Sequence, residues 1–147
     1  MRKKKEKKII GRTEIVDFPE LQIFNIEAQV DTGAYTSALH CEDVRLEIRD
    51  GKKWLIFKVF THGNDTRSLQ EVAFSNFYKK KIKNSFGHIE NRFIIMTTIG
   101  LFGEKFNIEI SLADREKMRY PVLLGRKLLK GRFVVDVAKK NQGLKGL

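Results

Sequence analysis

Phe24-Asn25-Ile26-Glu27-Ala28-Gln29-Val30 runs directly into Asp31-Thr32-Gly33-Ala34, and the reading of this stretch decides the fold. Phe24, Ile26, Ala28 and Val30 fall on one face of an extended chain, with Asn25, Glu27 and Gln29 on the other. Apolar residues at every second position mark a half-buried strand. The strand delivers Asp31 into a turn opened by Gly33, which accepts backbone angles and close approaches that a Cβ forbids. Thr32 can lock such a turn through its hydroxyl, so the carboxylate is held rigidly. Asp, Thr and Gly are also common turn residues, and by itself the tetrapeptide fits a plain strand-ending turn.

Near the C-terminus stands Tyr120-Pro121-Val122-Leu123-Leu124-Gly125-Arg126, with Leu128-Leu129 just beyond. Taken alone it is a buried strand closed by glycine. The two elements in this order, with alternating strands between them, resemble a retropepsin-like aspartic peptidase. In such enzymes a hydrophobic-hydrophobic-Gly strand passes beside the catalytic loop and a short helix follows. A narrower resemblance spans nearly the whole chain. Asp31-Thr32-Gly33-Ala34-x-Thr36-Ser37-Ala38-Leu39, then Arg115-x-x-Met118-x-Tyr120-Pro121-x-Leu123-Leu124-Gly125-Arg126, is similar to a bacterial and archaeal family often labelled "ATP-dependent zinc protease" and reinterpreted as retropepsin-like. Its members are frequently encoded near, or fused to, glutamate ligases of the ATP-grasp type. The resemblance implies catalytic roles for Asp31, Thr32 and Gly33. It places Ala34, Thr36, Ser37, Gly125 and Arg126 in the active-site loop and the substrate-binding surface.

The older label finds no support in the residues. A zincin needs His-Glu-x-x-His on one helix face, whereas His40, His62 and His88 are widely separated. Structural zinc wants several Cys and His in paired spacings, and Cys41 is the single cysteine. His40-Cys41 reads as ordinary strand or loop. No Gly-x-x-x-x-Gly-Lys-Ser/Thr phosphate loop is present. The expectation is no metal and no cofactor.

At 147 residues and 41% hydrophobic content the chain suits a single soluble domain with a sizeable core. One cysteine excludes an internal disulfide. No apolar run approaches the roughly 18–20 residues that span a bilayer, and Ile9-Ile10 is too short for a signal-peptide core; a cytoplasmic protein is expected. Net charge is +11. Residues 1–8, with six Arg or Lys and one Glu, read as a disordered basic arm ahead of one domain over 9–147. A second basic cluster, Lys79-Lys80-Lys81 with Lys83, follows Phe74-x-x-Phe77-Tyr78. Basic residues beside aromatics suit single-stranded nucleic acid; a core-facing aromatic pair beside an exposed basic loop is the favoured reading. A basic surface also suits acidic peptides, because complementary charge speeds encounter.

Val44, Leu46 and Ile48 alternate with Arg45, Glu47 and Arg49, and Asp50-Gly51 turns the chain into Trp54–Phe60, a hairpin pattern. His62–Asp65 reads as a loop. A strand is expected around Glu71–Phe74, then a polar, basic connection through Asn84–Gly87. Arg92–Ile99 is strand-like, Gly100–Gly103 turns, and Phe106, Ile108, Ile110 and Leu112 alternate. Asp114 is placed to cap a short helical turn before Pro121, and Phe133–Val137 is a final strand. The fold class expected is mainly β: a retropepsin-like, closed or partly closed barrel with a short helix near Lys127–Lys130.

One carboxylate cannot perform aspartic-peptidase chemistry, which needs two sharing a proton. The chain has a single Asp-Thr-Gly, and Asp136, with no Thr-Gly behind it, reads as a strand-end acid. The resemblance therefore implies a homodimer in which two Asp31 side chains meet on a two-fold axis and each Thr32 hydroxyl braces the opposite loop. In the retroviral pattern an acid follows Asp-Thr-Gly-Ala and pairs with the Arg of the later Gly-Arg. Here Tyr35 follows Ala34, leaving Arg126 to meet an acid elsewhere or a substrate carboxylate. The Asp50-Gly51 turn and the His62–Asp65 loop are both candidates for a flap. The expected function is hydrolysis of a peptide or protein substrate, with acidic or glutamylated segments the sharper guess and a link to an ATP-grasp glutamate ligase implied. The rival readings are a non-catalytic peptide-binding or dimerisation module and, behind it, a basic nucleic-acid-binding domain.

Overall fold

A computed structural model describes residues 6–61, 68–83, 86–113 and 119–145. The strands are β1 (Lys8–Ile10), β2 (Thr13–Phe18), β3 (Ile23–Val30), β4 (Ser37–His40), β5 (Glu42–Arg49) and β6 (Lys52–Phe60). They continue as β7 (Leu69–Phe74), β8 (Phe77–Lys83), β9 (Ile89–Leu101), β10 (Glu104–Ala113), β11 (Val122–Leu124) and β12 (Phe133–Val135). Two single-turn helices, α1 (Arg126–Leu129) and α2 (Gln142–Lys145), complete them. The Asp114 turn and the His62–Asp65 loop fall outside the described residues.

Strands β10, β4, β11, β3, β2 and β9 hydrogen-bond in that order, and β9 pairs back to β10, closing a six-stranded barrel. β8 hangs from the outer edge of β9, β5-β6-β7 form a separate three-stranded sheet, and β1 pairs in parallel with β12. Closure removes the free edges that an open sheet exposes. The interior is filled by alternate residues of each strand: Val16 and Phe18, Ile26 and Ala28, Ile99 and Leu101, Ile108 and Ile110, Val122 and Leu124. Each fully buried Val, Leu, Ile or Phe side chain contributes roughly 1.5–3 kcal/mol of transfer free energy. Leu128 and Leu129 of α1 close the cluster, so the helix expected near Lys127–Lys130 forms one residue early and is fixed by its own two leucines.

The alternation read into β3 is interrupted. Val16 pairs with Ile26 and Phe18 with Ile23, so Phe24 and Asn25 together oppose Asp17. This is a β-bulge. Asn25 takes a positive φ of 56°, and its N–H donates to Asp17 Oδ1 at 2.7 Å. The extra residue rotates Phe24 out to 45% exposure and brings Ile23 into the core instead. Val44, Leu46 and Ile48 also lie open, at 38%, 49% and 74%: the strand forms as expected, but its apolar row extends past the core. Its turn, Asp50-Gly51, has positive φ at both residues (51° and 75°), the type I′ geometry that an Asp-Gly pair favours.

The basic run is not a loop. Lys79, Lys80 and Lys81 lie in β8, paired from Phe77↔Ile95 to Lys83↔Ile89. Successive lysines face opposite sides, with Lys79 over the Phe93 ring and Lys80 over Tyr35. One ring of the stretch does pack as expected, Phe77 edge-on to Phe93. Glu14 is a further surprise: fully buried, its carboxylate accepts the N–H groups of Gly11, Gln142 and Gly143 at 2.8–3.0 Å. Buried carboxylates need such donors, and these tie the C-terminal segment to β2.

Candidate active site

β3 and β4 are joined by the Asp31–Thr36 loop, and β11 threads between them, parallel to β3 and antiparallel to β4. Asp31 N–H donates to Leu124 O at 2.9 Å, so the loop starts anchored to β11. Within it, Asp31 Oδ1 accepts Gly33 N–H at 2.9 Å and Asp31 O accepts Ala34 N–H at 3.2 Å. This Asx turn fixes one carboxylate oxygen. The need for glycine at 33 is contact rather than backbone angle: its φ is not positive, and a Cβ would lie 3.2 Å from Asp31 Oδ1.

The later segment clamps the loop from beneath. A Cβ on Gly125 would stand 2.8 Å from Tyr35 O, 2.9 Å from Thr36 C and 3.0 Å from Ala34 O. Only glycine permits the two backbones to meet this closely. Gly125 N–H donates to the buried Ser37 Oγ at 2.9 Å. The first amides of α1 then turn onto the loop: Arg126 N–H to Ala34 O at 2.8 Å and Lys127 N–H to Tyr35 O at 3.0 Å. Thus Ser37 and Gly125 sit under the loop, away from solvent, as its brace.

Arg126 has the partner that the missing acid left open. Its Nη1 donates to Thr32 O at 2.9 Å, and its guanidinium lies 5.8 Å from the Tyr35 ring centroid. The Lys80 ammonium approaches the same ring at 5.9 Å. A cation–π pair replaces the carboxylate pair, and Arg126 still reaches the residue next to Asp31. Thr32 itself is exposed.

Asp31, Gly33, Ala34 and Thr36 line one cavity of about 560 Å³, together with Ser111, Lys83 and Arg92. In the sequence Lys83 stood in the basic cluster and Arg92 at the head of a strand, and neither they nor Ser111 was assigned to the site. The Asp50-Gly51 turn does not line this cavity; the strand residues that do come from β4, β8, β9, β10 and β11. Beyond Tyr35 lies a second polar cluster: Tyr78 OH donates to Glu109 Oε2 at 2.8 Å, and Lys127 Nζ pairs with the same oxygen. The Lys127 ammonium holds the Glu109 carboxyl below its ordinary range. Burial, then the Glu109 carboxylate, pushes the Tyr78 phenol up.

His40 is buried and stacks on Phe60 at 5.4 Å, and Cys41 is buried and in no disulfide. Among the described residues no three His, Cys, Asp or Glu gather as a metal site. Asp136 Oδ1 accepts Ala138 N–H at 3.0 Å just past β12, a turn-forming acid. Among the described residues no helix is long and apolar enough to cross a membrane.

A barrel with a strand-end Asp-Thr-Gly loop clamped by a Leu-Leu-Gly-Arg strand defines the retropepsin-like class. A sequence-family model for the RimB-like, retropepsin-like aspartic endopeptidases matches residues 9–143, and the chain belongs to that family. It is also 39% identical over 90% of its length to a probable alpha-L-glutamate ligase of Desulfotalea psychrophila, and 35% identical over 87% to one of Shewanella halifaxensis. The chain spans 28% of the length of each of those two relatives. A solved structure of a Legionella pneumophila protein of unknown function superposes with a TM-score of 0.75, covering 94% of this chain and 99% of that one at 24% identity. That likeness concerns the fold.

Proposed function

We propose that the protein is a homodimeric aspartic peptidase in which Asp31 and its symmetry mate form the catalytic dyad. The observation that carries this reading is the Gly125 clamp, which presses a backbone without side chain against Ala34–Thr36 and so holds Asp31 at the rim of a cavity. One Asp31 oxygen is held by Gly33 N–H; the other has no partner among the described residues and is free to act. Two such carboxylates in contact cannot both ionise and would share one proton. The ionised member takes a proton from water as the water attacks the scissile carbonyl carbon; the protonated member hydrogen-bonds the carbonyl oxygen. Collapse of the tetrahedral intermediate expels the amine, which leaves with a proton from the dyad.

Acidic or glutamylated segments are the proposed substrates, supported by the net charge of +11. A functional link to a glutamate ligase is supported by relatives that carry that name and contain a region matching this chain. We place the reaction in the cytoplasm. The two-faced arrangement of Lys79 and Lys80 disfavours a one-sided nucleic-acid platform.

Asp31→Asn tests the mechanism. The amide preserves shape and removes the base, so peptide cleavage should fall by at least about a hundredfold, with an unchanged unfolding midpoint. Sedimentation of the wild type should show a dimer in the cleaving state. Full turnover by the Asn variant would eliminate the mechanism.

A further inference from the structure

We propose that the arm built from the end of β8 and the start of β9 carries a subsite for a carboxylate side chain of the substrate, formed by Lys83 and Arg92 above a floor at Ser111. This rests on the peptidase reading and adds the residues that select the acidic chain. The last register pair between β10 and β9 is Ser111↔Ile94, whereas β8 stays paired with β9 as far as Ile89. The β8–β9 ladder therefore runs on past the barrel wall. At that point Ile82, Lys83 and Arg92 line the cavity that Asp31 and Gly33 also line.

One cation there is unpaired and the other is only partly engaged. The Lys83 ammonium has no hydrogen bond or ion pair among the described residues. Arg92 donates Nε and Nη2 to Glu90 Oε2 at 3.2 and 3.1 Å, which leaves Nη1 open. Ser111 is 1% exposed, and its hydroxyl finds no partner among the described residues. An apolar residue would fill that position without the cost of an unpaired buried hydroxyl. Substrate entering the cavity strips water from Lys83 and Arg92, and a desolvated cation is costly unless an anion arrives with it. A neutral isostere leaves Lys83 uncompensated and Arg92 with Glu90 alone, so the discrimination is built on a penalty as well as on an attraction.

The test compares a Glu-rich peptide with its Gln isostere at one fixed ionic strength. In wild type kcat/KM should favour the Glu peptide. Lys83→Met and Arg92→Met should each shrink that ratio about tenfold, as loss of a charge-assisted hydrogen bond does, with the Glu peptide cleaved more slowly and the Gln peptide relieved of its penalty and cleaved no more slowly than before. A parallel fall for both peptides would mark a structural role and overturn the subsite. Binding of both peptides to Asp31→Asn protein, with and without Lys83→Met, separates the two readings. A Glu preference that persists in Asp31→Asn and vanishes with Lys83→Met upholds the subsite even if no cleavage is found, in which case the peptidase reading alone fails. Equal affinity for the two peptides, or no binding of either, overturns the subsite.

Discussion

Two glycines of this protein serve the same loop, Gly33 within it and Gly125 beneath it, and do different things. Gly125 faces three backbone atoms within 3.0 Å of a built Cβ, none of which can swing aside. Gly33 faces only a side-chain oxygen, Asp31 Oδ1, at 3.2 Å. Gly125→Ala should therefore lower stability by about 1–3 kcal/mol through overpacking and displace the Asp31 loop, with activity lost. Gly33→Ala should cost less stability and act mainly through the Asp31 rotamer. Urea midpoints alongside kcat/KM for the two variants distinguish them, and equal midpoints would show that the clamp is not rigid. Both glycines stood out in the sequence as parts of a motif. Why each is needed did not, because the atoms they meet come from a segment about ninety residues away or from a side chain's rotamer. Arg126 teaches the same point: the acid it lacks is visible in the sequence, whereas its use of Thr32 O and the Tyr35 ring depends on the loop's path.

At the scale of elements, strands whose one face is buried were legible: β3 and β10 stand where period-two alternation put them, and β6 and β9 contain the expected strands Trp54–Phe60 and Arg92–Ile99. β8 was not, because an edge strand with lysines on both faces has the composition of a solvated loop, and only its partner β9 makes it a strand. The bulge at Phe24-Asn25 escaped for a related reason, since its cause, Asp17 Oδ1, lies on the neighbouring strand. The Glu109 cluster joins three such elements, linking β8 through Tyr78 and α1 through Lys127. Its pH dependence follows from the direction of each shift. Glu109 titrates below its ordinary value in the folded protein, so its contribution is complete above the unfolded carboxylate range and disappears as pH falls through the lowered value. Tyr78 and Lys127 are raised, so theirs holds below their unfolded values and is lost only in strong alkali. Glu109 and Lys127 are 29% and 44% exposed, and solvent limits the pair to about 0.2–1 kcal/mol. Glu109→Gln should thus destabilise by that amount at pH 7 and converge on wild type in urea titrations once pH falls below the lowered Glu109 value. A gap that widens on acidification would refute the assignment.

Over the whole molecule, charge acts at two ranges that salt can separate. The net +11 attracts an acidic peptide from a distance, whereas Lys83 and Arg92 act only once it is in the cavity. The Debye length contracts from about 10 Å at 0.1 M salt to about 3 Å at 1 M. Long-range attraction is then erased, while contacts in a water-poor cavity largely survive. For a Glu-rich peptide kcat/KM should fall steeply with salt, and a neutral peptide with the same scissile residues should change less. Removing residues 1–7 deletes five Arg or Lys and one Glu, yet spares Lys8, which opens β1 opposite Phe133. If the arm does the steering, this truncation should flatten the salt slope and leave the Glu-over-Gln preference at high salt intact. If the folded surface does it, the slope should persist without the arm. Equal slopes for acidic and neutral peptides, with and without residues 1–7, would show that net charge does not guide substrate, and selection would then lie wholly within the cavity beside Asp31.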